Sequence, residues 1–330
     1  MTSFLQDICD LDQDSLRYFF KFHQKVCPES LGSSHVDQFL EILPHIPARD
    51  LRNHLKRLWL LTNKSLTKSW LKYISSQDLC IDLDEPGLFA GETRQAIHAL
   101  ETSGYYIFTK TLPLDLLASL VQLTQTSPLV PEMANQQVSA HDAVSRSEAV
   151  LGCMSSRFFY PNLITSDETI RLLACDPALL SIVRTYLGTR NYSLKVAGWL
   201  SVGRNDLSSA QLSSNAQVFH LDLDAFRFLK VFVYLSDVGP RQGPHVFVSG
   251  SSLPFQSPST TLSVLSPSLR ASDQAIEGLY GRDAVMTHCG RAGTVIIEDT
   301  SGFHKGSPLA PSCTRDLLSF VYETGRFLFK

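Results

Sequence analysis

A chain of 330 residues with 44% hydrophobic content is long enough to bury a large core and exceeds one average domain, so a main domain with an appendage is expected. A net charge of −3 gives no global attraction to nucleic acid or to an anionic membrane. Seven cysteines, scattered from Cys9 to Cys313 without a CxxC pair, argue against a disulfide framework and a thiolate zinc site, and point to reduced thiols in a cytosolic setting.

The first residues, "MTSFLQDICDLDQD", are acidic where a signal or transit peptide would be basic. No apolar run approaches the roughly 18 residues needed to span a bilayer, so a soluble cytoplasmic protein is expected. From Leu16 to Ile74 apolar residues recur at helical spacing in "LRYFFKF", "HVDQFLEIL" and "LRNHLKRLWLLTNKSLTKSWLKYI", with "PHIP" between them. Residues 1–85 therefore read as an N-terminal helical domain, with "DLDEPGLF" (Asp82 to Phe89) as its connector to a second domain over 86–330. Next, "ALETSGYYIFTKTLPLDLLASLVQLTQ" predicts helix, strand, helix, and "CDPALLSIVRTYLG" predicts an amphipathic helix closed by Gly188. From Tyr192 onward the texture is β-rich. The runs "YSLKVAGWLSV", "QVFHLDL", "LKVFVYLSD", "HVFVSG", "GTVIIED" and "LLSFVYE" are each bounded by turn residues. Short strands separated by Gly/Pro loops predict a sandwich or jelly roll, and the Ser- and Pro-rich stretch from Ser249 to Asp273 predicts a long loop or lid.

The stretch "FHLDLD" (219–224) sits in a strand context. Residues two apart project on one face of a strand, so His220 and Asp222 would stand side by side and could hold one ion. Asp224 shares that face but lies roughly 13 Å along the strand from His220, too far for a common set of ligands. The triplet alone is weak, since "HVD" at 35–37 matches it within a helical pattern that turns His35 and Asp37 apart. Support comes from "GTVIIEDTSGFHKGSP", which places His304 just past an apolar strand where a side chain can face a barrel mouth. Two imidazoles and one carboxylate on one face of a metal leave adjacent positions open, as non-haem Fe(II) oxygen chemistry requires. Arg315, eleven residues after His304, begins the next strand, and its guanidinium suits one end of a dicarboxylate. The plainer reading pairs Arg315 with Asp299 or Glu323 at the surface.

These segments together resemble the phytanoyl-CoA dioxygenase family of Fe(II)/2-oxoglutarate-dependent oxygenases. The resemblance rests on "HLD" at 220–222, "LKVFVYLSDVGPRQGPHVFVSGSS", "GTVIIEDTSGFHKGSP" and the arginine eleven positions on, and covers residues 99–330 with "LETSGYYIFTKTLPLDLL" as the entry segment. It implies a mainly β protein with helices, whose core is a double-stranded β-helix (jelly roll, cupin-like). It also implies Fe(II) held by His220, Asp222 and His304, and 2-oxoglutarate as co-substrate with its distal carboxylate on Arg315. The reaction implied is hydroxylation by O2 of a C–H bond in a small molecule, free or linked to a carrier or CoA, with 2-oxoglutarate converted to succinate and CO2. Halogenating relatives replace the aspartate, so Asp222 favours hydroxylation. Ser252 departs from the family, which usually carries a histidine there, as do Val248 and Ser249, where proline is common.

Lys230 opens an apolar strand and must reach either solvent or a buried anion; it is the second candidate for the co-substrate. His23, His45, His54, His98, His141, His245 and His288 have no partner at ligand spacing and are read as structural or surface residues. Between Arg49 and Lys72, seven basic residues and one acidic residue are interleaved with Trp59, Trp70 and Tyr73. A docking surface for an acidic carrier or a phosphate-bearing substrate competes there with a plain amphipathic helix pair, which is favoured. No nucleic-acid module and no membrane partner is expected. The alternative from another class is a non-catalytic jelly-roll binding protein, or a cupin-like enzyme using another metal.

Overall fold

The computed structural model describes residues 81–132, 144–151, 155–161, 167–205, 212, 216–222, 227–252, 261, 263–266 and 269–324. The helical domain expected over 1–85, with its basic and aromatic stretch, lies outside the described residues save for 81–85.

The expected helix, strand, helix order is present as α1 (Thr93–Thr102), β1 (Tyr105–Ile107) and α2 (Leu114–Thr126). In α1 the buried residues Thr93, Ala96, Ile97 and Leu100 follow the three- and four-residue steps that make one helix face. Short elements follow: β2 (Val130–Pro131), α3 (Arg146–Leu151), β3 (Arg157–Phe159) and α4 (Glu168–Ala174). Helix α5 (Pro177–Leu187) is the one read from "CDPALLSIVRTYLG": Asp176 accepts from Leu179 N, Pro177 opens the first turn, and Gly188 closes it in the left-handed region at φ 70°. The other oxygen of Asp176 accepts from Leu88 N at 2.6 Å. Gly87 makes this approach possible, because a Cβ there would lie 2.4 Å from the Asp176 carboxylate and its φ is +153°. The connector is thus pinned to α5, and Leu83, Leu88 and Phe89 already pack into the main core.

The strands that follow are β4 (Ser193–Val202), β5 (Arg227–Tyr234) and β6 (His245–Val248), then, after helix α6 (Asp273–Tyr280), β7 (Val285–His288), β8 (Val295–Glu298), β9 (His304–Gly306) and β10 (Thr314–Thr324). One antiparallel sheet has the order β1-β8-β5-β10-β4-β3-β2, and a smaller one has β7-β6-β9. Bridges from His220 to His304 and from Phe219 to Ala271 extend the smaller sheet by a short segment beyond β9. From β4 onward the chain alternates between the sheets: large, small (219–220), large (β5), small (β6, β7), large (β8), small (β9), large (β10). That alternation of antiparallel strands is a jelly roll, the architecture expected from the β-rich half.

Strand registers sort the large sheet into two faces. Leu229, Val231, Val233, Val295, Ile297, Leu318, Phe320 and Tyr322 belong to the cluster that packs against the helices. The alternate residues Phe232, Tyr234, Ile296 and Leu317 form a second cluster on the opposite face with Ile107 and Trp199. By the same alternation Lys230, Glu298 and Arg315 share that second face. The small sheet turns His245, His288, Phe247, Gly306, His304 and His220 to one side, because these residues stand opposite one another in its ladders. The two faces meet where His245 contacts Glu298 and Phe232, and where Arg315 lies against Gly306. This lumen contains every ionisable residue singled out above for metal or co-substrate binding. Among the described residues no helix is long and apolar enough to cross a membrane.

Candidate metal centre

His220 and His304 are clipped together by the backbone. Each donates its N–H to the other's carbonyl, at 3.1 and 3.0 Å, so one antiparallel pair delivers two imidazoles with ring centroids 4.3 Å apart. Asp222 N donates to Thr300 O at 2.9 Å, which holds the third residue beside β9. His304 opens a strand of its own, three residues long, beyond the apolar strand β8 after which the sequence placed it. A three-residue strand offers too short an alternation to be read from its pattern.

The ring orientations follow from the main chain. His220 Nδ1 lies 3.0 Å from Val218 O, and His304 Nδ1 lies 3.0 Å from Gly302 O. A carbonyl only accepts, so each Nδ1 carries the proton and each Nε2 keeps its lone pair. Both Nε2 atoms face Asp222: His304 Nε2 is 3.2 Å from Oδ2 and His220 Nε2 is 3.9 Å from Oδ1. One ligand atom from each of the three residues lies within 4.8 Å of the others, and among the described residues this trio is the grouping so arranged for an ion. Two imidazole nitrogens and a carboxylate oxygen, with main-chain partners fixing the rings, fit a first-row divalent metal.

Burial alone would raise the Asp222 carboxyl, but the Lys230 ammonium, then His304 and His220, hold it well below its ordinary value. Burial, reinforced by His304, pushes His220 well below its ordinary value, so this ring is a neutral donor. Burial also opposes a charge on His304; the adjacent Asp222 outweighs it and leaves His304 above its ordinary value.

Lys230 reaches an anion of the chain itself: its Nζ lies 2.6 Å from Asp222 Oδ2, so in this structure its partner is the trio's carboxylate. Arg315 is buried. It donates to Gly243 O and, at 3.4 Å, to Ser201 Oγ, and its Nε has no partner. The surface pairing weighed from sequence is absent. Asp299 accepts from Tyr186, and Glu323 pairs with Lys195. The guanidinium lies against Gly306, where a Cβ would be 3.5 Å from Nη2, and Gly306 is two residues along β9 from His304.

Sequence reasoning passed over three further lumen residues. His245 Nε2 lies 2.7 Å from Glu298 Oε2, and His288 Nε2 lies 3.5 Å from Glu298 Oε1, with all three buried. The available signal was a polar residue at the end of each of three apolar runs, "HVFV", "VMTH" and "VIIE"; their registers, which bring them together, are not written locally.

No protein-family model matches this chain, and no curated protein matches it. Solved structures with a related outline include the epimerase SnoN in complex with Fe3+, alpha ketoglutarate and nogalamycin RO, at 17% identity over 70% of this chain and 83% of that one, TM-score 0.44. HygX from Streptomyces hygroscopicus, with nickel, 2-oxoglutarate and hygromycin B bound, has 17% identity over 71% and 88%, TM-score 0.44. EvdO2 from Micromonospora carbonacea var. aurantiaca, complexed with 2-oxoglutarate, has 11% identity over 72% and 93%, TM-score 0.48. Likenesses this low carry no argument about the activity of this chain; its jelly roll rests on the strand pairing above.

Proposed function

We propose that this chain is an Fe(II)- and 2-oxoglutarate-dependent oxygenase that hydroxylates an unactivated C–H bond of a small organic substrate, free or linked to a carrier or CoA. The carrying observation is the pairing of two unlike features in one lumen. Two Nε2 atoms and a carboxylate come within 4.8 Å of one another, and a buried guanidinium without a carboxylate partner among the described residues stands two strand residues away. Two residues of strand span roughly 7 Å, about the length of a five-carbon diacid gripped at both ends. The resemblance of the "HLD", "FHKGSP" and Arg315 segments to phytanoyl-CoA dioxygenases supports the same reading.

On this reading His220, Asp222 and His304 would hold the ion, which would keep positions free for co-substrate and O2. Bound iron supplies the oxygen chemistry, including decarboxylation of the keto acid to succinate. Arg315 donates to the distal carboxylate through its fork of N–H groups, and its buried surroundings strengthen that contact. Lys230 donates to Oδ2 of Asp222, the oxygen that also faces His304 Nε2, and so fixes the carboxylate beside the two imidazoles. Phe232, Leu317 and the half-buried Trp199 supply apolar wall that keeps water from the reacting carbon.

The test is anaerobic addition of Fe(II) and then 2-oxoglutarate, followed by visible absorption, with succinate measured after O2 is admitted. A visible charge-transfer band and iron-dependent succinate are expected, and both should vanish in Asp222→Ala. Neither band nor succinate from the unaltered protein would sink the reading.

A further inference from the structure

The cluster of His245, Glu298 and His288 lies directly behind the metal trio, and nothing in the proposed reaction uses it. His245 opens β6 and His288 ends β7, and the two stand opposite each other in the small sheet. Glu298 ends β8 on the facing sheet, with 0% exposure. One hydroxyl ties the two histidines at the main chain: Tyr234 Oη donates to His288 O at 2.8 Å and accepts from His245 N at 3.1 Å. The His245 ring is sandwiched. Phe232 lies at 4.9 Å on centroids, and His304, the metal-trio imidazole, is stacked at 5.6 Å with planes 26° apart.

Two explanations compete for so buried a carboxylate. A second ion would need ligand atoms drawn together, but among the described residues only His220, Asp222 and His304 meet that condition. A simple structural hydrogen bond would be served by a neutral amide, without a charge placed in the interior. Among the described residues the ion-pair contacts of Glu298 are the two histidines. Two imidazoles facing this fully buried carboxylate, one in hydrogen-bond contact at 2.7 Å and the other at 3.5 Å, favour its ionised, negatively charged form. Such a charge is costly unless a cation stands near, and the ion expected on His304 would be that cation.

We propose that His245, held by Glu298, is a positioning residue for His304, and that the Glu298 charge strengthens divalent-cation binding at the trio. This rests on the metal-centre reading above. Glu298 fixes His245 through Nε2, and the His245 ring backs the imidazole of His304, while His288 Nε2 stands 3.5 Å from the other carboxylate oxygen. Outer partners of this kind typically change metal affinity by about 10- to 100-fold.

Co(II) is the probe, because its visible absorption reports ligand geometry independently of turnover. The full chain is titrated by calorimetry and absorption, alongside Glu298→Gln, which keeps the hydrogen-bond acceptor and removes the charge, and His245→Ala, which removes the ring. The unaltered protein should bind one equivalent. Glu298→Gln should bind one equivalent about tenfold more weakly, and His245→Ala should also show an altered spectrum. Thermal unfolding of each metal-free protein separates these effects from loss of fold, and His245→Gln, which keeps a donor for Glu298 without a ring, replaces the alanine variant should that fail to fold. Unchanged affinity and spectrum in the variants would overturn the clamp while leaving the metal centre intact. A second equivalent that disappears in Glu298→Gln would overturn it in favour of a second ion. No uptake of Co(II) by the unaltered protein would remove the metal centre and the clamp together.

Discussion

Two trios, each of two histidines and one carboxylate, stand side by side in the lumen, and they differ in how the rings are held and how closely the ligand atoms are drawn together. In His220, Asp222 and His304 the Nδ1–H groups are taken by main-chain carbonyls at 3.0 Å, which turns both Nε2 atoms to the carboxylate. In His245, Glu298 and His288 the Nε2 atoms also face the carboxylate, at 2.7 and 3.5 Å, and the His245 contact is a hydrogen bond. The first arrangement, with its ligand atoms within 4.8 Å of one another, is open to an ion, and the second, not so drawn together, is closed to one. A ligand set is defined by what the backbone has already occupied on each ring, and residue type alone does not distinguish the two.

The sharpest way to break that contrast is the same substitution in each trio. His220→Ala should weaken divalent-metal binding by well over 100-fold, more than an outer partner costs, whereas His288→Ala should stay within about tenfold of the unaltered protein. Calorimetric titration with Mn(II) measures both; equal losses would erase the distinction. Arg315→Leu comes next. Removing the buried partner of a carboxylate costs about 2–5 kcal/mol, so 2-oxoglutarate should bind at least roughly 30-fold more weakly while Mn(II) affinity holds. An unchanged Kd for 2-oxoglutarate would place the co-substrate elsewhere.

Acid acts on His288 and His304 in opposite senses. Burial, partly opposed by Glu298, holds His288 down to about 4 from 6.5. Between those values the unfolded chain carries a proton that the folded chain lacks, so stability falls as pH falls, with a slope approaching about 1.4 kcal/mol per pH unit. His304 is shifted the other way: its proton is held more tightly in the folded, metal-free chain and costs no stability on acidification. That proton competes with the ion instead, so metal affinity should drop as pH falls through the raised value. Thermal unfolding between pH 7.5 and 4.5, compared with His288→Asn, should show a shallower slope in the variant. An identical slope would mean that His288 is not the group that titrates.

The open trio was legible because its evidence is local. A two-residue step in a strand puts His220 and Asp222 on one face, and a fixed eleven-residue interval carries the chain from His304 to Arg315. The large elements were legible for the same reason, from the period of α1 and α5 to the apolar runs of β5, β8 and β10. The closed trio was not, since His245, Glu298 and His288 come from three strands whose registers depend on the whole jelly roll. Strands β2 and β9 are two and three residues long, and β7 is only partly buried, so none carries an alternation to read. The partner of Lys230 also needed the fold, because Asp222 lies eight residues before it and no strand alternation links the two.

The Asp176 carboxylate, shared between the first turn of α5 and the amide of Leu88, has a practical consequence for trimming the protein. Cleavage within residues 83–89 should be resisted, because Phe89 is buried and Leu83 and Leu88 pack against the same core. A shortened version beginning after Phe89 would bare that patch and deprive Asp176 of its Leu88 partner. Clumping, ahead of any loss at the lumen, is the failure to watch for.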